Sequence, residues 1–259
     1  MANDEVREQR PSSAADADRS YPRFYAQALP ASNIDQDVLL DLDPEEARHA
    51  TRALRLEHDS PIELIDGSGR IARGRLQLAG KKAVSVAIEA VVVAPAPRPL
   101  ITIASAIPKG SRAEDLIDLL VQTGADRLVP LDAERSVVHP AAGRSDRWHR
   151  RALAGLKQSR RVHGMGIDSP ARPADLVSWS QPLRLFADTQ PKVEAAIDES
   201  MQEAAEVAVA IGPEGGWSDA ERVRLLDAGW QPWSLGATVM RVETAAATAC
   251  AVIRYLTRP

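Results

Sequence analysis

The chain has 259 residues, 44% of them hydrophobic, a formal net charge of -4 and a single cysteine, Cys250. Such a length supplies apolar material for two globular domains of ordinary size, and the acidic balance excludes a uniformly basic nucleic-acid binder. One cysteine excludes an internal disulfide or a thiolate metal cluster, and the lack of a long apolar run or an apolar leader predicts a cytoplasmic protein.

Residues 1–20 are small, charged and aperiodic, and read as a flexible tail. The fold is expected to begin near Tyr21. Asp43-Pro44-Glu45-Glu46 predicts a helix start, with Asp43 as its cap, and that helix carries His49, Arg52 and Arg55. "PIELID", "RIARGRLQLA" and "AVSVAIEAVVV" alternate apolar and polar residues, which predicts half-buried antiparallel strands in a small β-barrel over 21–94. "APAPRP", residues 94–99, reads as a stiff linker.

From residue 99 to 259 strands alternate with helices, the pattern of a parallel sheet covered on both faces. The predicted strands are "LITIASAI", "RLVPL", "LRLFAD", "VAVAI" and "QPWSL". Ser111-Arg112-Ala113-Glu114 has the form of a capping box for a helix closing at Gly124, and Ser218-Asp219-Ala220-Glu221 of a second, closing at Gly229. Further helices are expected over 146–159, 191–204 and 243–256. The last is rich in small residues, which suits close packing within the domain or across a dimer, and Cys250 reads there as a packed small residue. Arg135 to His163 holds eight Lys or Arg against one acid, while Asp188 to Asp227 holds ten acids against three bases. Two oppositely charged solvated faces are the plainer reading, and a local anion-binding stripe the sharper one.

The densest signal is "VAVAIGPEGGWSDAERVRLL", Val207 to Leu226. Gly212-Pro213-Glu214-Gly215-Gly216 joins a strand to a helix start, at the edge of a parallel sheet where ligands bind. The turn has neither the G-x-G-x-x-G of a dinucleotide site nor the G-K-[ST] of a P-loop, and Glu214 would repel a phosphate. A nucleotide-phosphate enzyme is therefore disfavoured. A second glycine loop, Leu235-Gly236 onward to Arg241, Glu243 and Thr244, follows the next strand. Two such loops suit two walls of one pocket. No histidine pair has metal-ligand spacing, so no metal is expected.

"IGPEGGWSDAE" followed by "LGATVMRVETAAATA" resembles the paired signature of the SPOUT-class RNA methyltransferases, and specifically the RsmE family of 16S ribosomal RNA uridine N3-methyltransferases. "HATRALRL", "IPKGSRAEDLIDLLVQTGADRLVPL", "ERS" and "KQSRR" extend the likeness from Tyr21 to the C-terminus. The resemblance implies a PUA-like β-barrel for RNA, an α/β domain ending in a trefoil knot, a homodimer, and S-adenosylmethionine as cofactor with the small ribosomal subunit as partner. It further implies that Ala187, Ile211, Gly212, Pro213, Glu214, Gly215, Gly216, Leu235, Gly236, Met240 and Thr244 hold the cofactor. Arg241 would stabilise a uracil anion, with Glu243 as its base or orienter. Arg23, Arg52, Arg55, Arg135, Arg160 and Arg161 would meet RNA phosphates. The chain departs from the family pattern at Ala237, Thr238, Val242, Lys157 and Arg160. A related enzyme acting on a ribose 2′-hydroxyl, and a non-catalytic RNA-binding assembly protein, are the alternatives that these departures leave open.

Overall fold

The computed structural model describes residues 21–31, 38–79, 83–140, 145–189 and 198–258. The predicted tail over 1–20 and the first part of the helix predicted over 191–204 lie outside them. The chain divides into two compact units, Met1–Pro95 and Ala96–Pro259.

In the first unit, β1 (Arg23–Tyr25), β2 (Val38–Asp41), β3 (Pro61–Ile65), β4 (Arg70–Ala79) and β5 (Ala83–Val93) form one sheet in the order β1-β3-β4-β5-β2. The three alternating segments pair antiparallel, as their period requires, and β1 joins β3 in parallel. Phe24, Ile62, Leu64, Leu76 and Val86 fill the core. The register shifts between Arg73 and Gly74, where β5 carries the extra residue Glu89, and a Cβ on Gly74 would lie 2.2 Å from the Ala87 carbonyl oxygen. Helix α1 (Pro44–Arg48) starts at Pro44 as expected, but the Asp43 side chain accepts no capping hydrogen bond. The chain then widens into a π-helical turn, His49–Ala53, whose His49 ring meets Phe24 edge-on at 5.9 Å. Packing accounts for His49.

The second unit is a six-stranded, wholly parallel sheet built from β6 (Leu100–Ala106), β7 (Arg127–Leu131), β8 (Gly166–Ile167), β9 (Leu183–Ala187), β10 (Glu206–Ile211) and β11 (Gln231–Trp233), in the order β11-β9-β10-β6-β7-β8. Between the strands run α2 (Arg112–Thr123), α3 (Ser145–Gln158), α4 (Asp198–Glu203) and α5 (Asp219–Asp227), and α6 (Val242–Leu256) ends the fold. Strand β10 explains the layering. Its Val207, Val209 and Ile211 point into a core shared with α2, α3 and α6, while Ala208 and Ala210 point into another with Phe186, Trp217, Leu225 and Trp230. A period of two thus feeds two buried faces, which is why the strand reads as a continuous apolar run.

Gly124 and Gly229 terminate their helices with φ of +97° and +79°, the left-handed conformation expected of them. The two predicted capping boxes part company. Ser218 accepts from the Glu221 N–H while Glu221 accepts from the Ser218 N–H, whereas Ser111 has helical backbone angles and caps nothing with its side chain. Glu114 instead pairs with Arg147 of α3. Ala246, Ala249 and Cys250 of α6 are buried in the core they share with α2, so the small-residue face serves close packing inside the unit. The Cys250 thiol donates to the Thr123 carbonyl, and burial pushes its pKa up to about 11.

Candidate active site

Strands β9, β10 and β11 end side by side at Ala187, Ile211 and Trp233, and the loops leaving them enclose a cavity of about 320 Å³. The first wall is the turn after β10. Gly212 is required there by the protein itself, since a Cβ would stand 2.9 Å from the Trp217 indole. That indole is buried, and its Nε1–H donates to the Ala187 carbonyl at 2.9 Å, tying the turn to the end of β9. Gly215 backs onto Arg135, whose Nη1 donates to the carbonyls of Gly215 and Trp217. Gly216 has φ of +70° and open space where a Cβ would be. The Ser218–Glu221 box then fixes α5, and the other Glu221 oxygen accepts the Glu134 N–H at 2.8 Å, which docks the loop after β7 beside the turn.

The second wall follows β11. Gly236 takes φ of +135° and likewise opens onto empty space. Leu235 and Met240 line the cavity, together with Val242 and Ala245 from the start of α6. Of the residues expected to hold the cofactor, Ala187, Ile211, Gly212, Pro213, Glu214, Gly215, Gly216, Leu235, Gly236 and Met240 all line this space. Thr244 does not: its place on the first turn of α6 leaves it exposed and off the lining, which corrects that expectation. Sequence reasoning missed Trp217, Asp188 and Arg222. Asp188 is buried and pairs with Arg222 at 2.8 Å on the cavity wall. Trp217 could have been flagged by its place between a strand and a helix cap and Asp188 by closing a predicted strand, whereas Arg222 lies inside a predicted helix and carried no signal.

Arg241 and Glu243 flank the cavity-lining Val242 without lining the cavity themselves, and they form no ion pair with each other. Arg241 precedes the first residue of α6 with extended backbone, is exposed, and forms no ion pair among the described residues. Glu243 is buried, and its Oε2 lies 3.8 Å from Nη1 of Arg112. The Nη2 of that guanidinium lies 3.2 Å from Oε1 of Glu214. Arg112 was legible only as part of a helix start.

The expected RNA contacts divide by burial. Arg52 and Arg55 are exposed in the first unit. Arg23 is corrected: its side chain is 3% exposed and its Nη2 lies 2.8 Å from Glu63, an internal ion pair with nothing left to offer a phosphate. Arg161 is corrected for the same reason. It donates to the Val121 and Ala125 carbonyls and to Asp126, and burial lowers its pKa while Asp126 opposes the shift. Arg135 buttresses the glycine turn yet remains exposed, and Arg160 is half-buried with φ of +58°. Arg147 and Arg151 face Glu114 and Asp118 of α2, so part of the basic run meets acids of its own unit.

The cavity is of a size that takes a small organic ligand. Its walls combine backbone groups, apolar side chains and two carboxylates, Glu214 and Asp188, which suit a neutral nucleoside carrying a positive centre. A parallel α/β unit with such a crevice is a small-molecule-dependent enzyme domain, and residues 95–254 match the RNA methyltransferase domain family, with residues 42–89 matching the RNA methyltransferase PUA domain. The protein is an RNA methyltransferase by class. The ribosomal RNA small subunit methyltransferase E of Mycobacterium bovis is 30% identical over 243 residues, covering 90% of this chain and 91% of that one. Its counterpart in Bacillus subtilis is 27% identical, covering 88% and 94%. Among solved structures, the Neisseria gonorrhoeae enzyme of the same name, bound to S-adenosyl methionine, superposes with a TM-score of 0.80 at 25% identity, covering 91% of this chain and 98% of that one. A Legionella pneumophila methyltransferase structure in complex with SAM gives 0.78 at 29%, covering 91% and 97%. The chain belongs to the ribosomal RNA small subunit methyltransferase E family.

Proposed function

We propose that the protein transfers a methyl group from S-adenosylmethionine to N3 of a uridine in 16S ribosomal RNA, working in the cytoplasm as a homodimer. The observation that carries this reading is the crevice at the ends of β9, β10 and β11, lined by both glycine loops and ending beside Arg241. The residues present fit the cofactor: Gly216 and Gly236 line the cavity with open space where a Cβ would stand, and backbone groups and apolar side chains of both loops face it, with the carboxylates of Glu214 and Asp188 each held by an arginine. When bound, S-adenosylmethionine supplies an electrophilic methyl on a positively charged sulfur.

The chain's own task is then to align, to exclude water and to manage one proton. Uracil N3 carries a hydrogen at neutral pH, and its loss leaves a negative charge on the ring. Arg241, exposed and uncommitted to any acid among the described residues, favours the uracil anion, whose proton is lost to bulk solvent before the base docks and water is excluded. Glu243 orients an arginine, but the geometry favours Arg112 over Arg241 as the one it orients. Ala187, Ile211 to Gly216, Leu235, Gly236 and Met240 are assigned to the cofactor. Arg52 and Arg55, in the domain proposed to span 21–94, with Arg135 and Arg160 of the 99–259 domain, are assigned to RNA phosphates. A trefoil thread through the two glycine loops is part of the same reading, supported by the return of the chain from edge strand β11 to pack α6 against α2.

Labelled methyl transfer to small ribosomal subunits, followed by nucleoside mass spectrometry, tests the assignment. The expected product is 3-methyluridine; a ribose-methylated product, or none, overturns it. Arg241→Ala is expected to slow transfer by about 10²–10³-fold, the usual cost of removing a stabiliser of developing charge, with the calorimetric Kd for S-adenosylmethionine nearly unchanged.

A further inference from the structure

Arg112 stands where the two cavity walls come closest to a shared charge. It opens α2, directly after β6, and its guanidinium reaches Glu214 of the first glycine turn through Nη2 at 3.2 Å and Glu243 of the first turn of α6 through Nη1 at 3.8 Å. Glu214 lines the cavity, and Glu243 follows two residues after Arg241. The Glu243 side chain is only 8% exposed, and its buried Oε2 accepts no hydrogen bond among the described residues. A carboxylate so placed demands a cation close by. Arg112 answers that demand.

Without Arg112, the nearest alternative in sequence is Arg241, whose long side chain begins at the same helix end. Capture of Arg241 by Glu243 would turn inward a cation that forms no ion pair among the described residues and stands between two cavity-lining residues, Met240 and Val242. A single guanidinium on Arg112 therefore does two things: it offsets two acids that would otherwise repel each other, and it keeps Glu243 off Arg241. We propose that Arg112 is a positioning residue for methyl transfer, which engages Glu214 and Glu243 together so that Arg241 remains available to the uracil anion. This rests on the methyl-transfer reading given above.

The test compares Arg112→Gln, Arg112→Lys and the double variant Arg112→Gln/Glu243→Gln in the full-length protein. Each is measured for kcat and KM on small ribosomal subunits, for the Kd of S-adenosylmethionine and for Tm. Arg112→Gln is expected to lower kcat by roughly 10–100-fold, less than the outright loss of a charge stabiliser, with a smaller change in Kd. Arg112→Lys keeps the charge but loses the planar fork that serves two carboxylates, so its kcat should fall between wild type and Arg112→Gln. Removing the Glu243 charge in the Arg112→Gln background frees Arg241 again, and the double variant should regain on the order of tenfold in kcat over Arg112→Gln. A clasp with a purely structural role gives a different result: the double variant stays as slow as, or slower than, Arg112→Gln. That outcome overturns the proposal, as does a wild-type kcat in both single variants. Should Arg112→Gln fail to fold, a wild-type kcat for Arg112→Lys overturns it alone. A wild-type protein that methylates no RNA overturns the underlying reading instead, so the two failures are distinguishable.

Discussion

At Gly212 an added methyl would lie 2.9 Å from the Trp217 indole, whereas at Gly216 it would meet nothing within 4 Å, and only the φ of +70° resists it. Two glycines of one turn thus answer to different constraints: the first to a side chain of the protein, the second to backbone conformation. Gly212→Ala should push the indole off its contact, break the Nε1–H donation to Ala187 and open the join between β9 and the turn. Gly216→Ala should cost about 1–2 kcal/mol of left-handed strain while leaving the indole in place. Calorimetric titration of the two variants with S-adenosylmethionine, alongside their Tm values, checks this: the larger loss of affinity should belong to Gly212→Ala. Charged residues follow the same logic of local context. Arg23 and Arg241 are the same residue type, yet one is consumed by Glu63 and the other faces solvent.

At the scale of elements, two stretches of the same pattern behave unlike each other. Ser218 and Glu221 cap α5 reciprocally because the chain enters with extended backbone at Ser218, while Ser111 has already turned helical and its Glu114 is drawn to Arg147 on α3. Ser218→Ala should therefore destabilise the fold by about 1 kcal/mol and lower Tm by a few degrees, and Ser111→Ala should leave Tm within measurement error. Strands and helices were legible because β10 and its neighbours β6 and β9 are largely apolar runs broken by proline, aspartate or glycine, and because Gly124 and Gly229 mark helix ends whatever the tertiary setting. Both glycine loops were legible as pocket walls for the same reason. What sequence could not supply was pairing across the fold. The likeness of Ser111-Arg112-Ala113-Glu114 to a cap hid Arg112, whose partners lie about a hundred residues away or more, and Glu243, expected to orient Arg241, faces that third residue instead. Arg23 and Arg161 look like surface charges until their internal acids are located.

Across the whole molecule, the two compact units each close a core of their own, and among the described residues no helix is long and apolar enough to cross a membrane. The second unit holds its last helix from several sides. Arg254 donates to the Gly124 and Pro99 carbonyls and pairs with Asp126, which also holds Arg161. Midway along that helix lies Cys250, buried and kept protonated well into alkaline solution by its surroundings. An alkylating reagent needs both access and a thiolate, and the native molecule denies it each. Modification at pH 8 should therefore wait for α6 to leave α2, and its rate should rise with denaturant in step with loss of the whole second unit; prompt modification of the native protein would contradict this. The lone thiol becomes a timer wound into the domain, set off in each molecule the first time its interior comes apart.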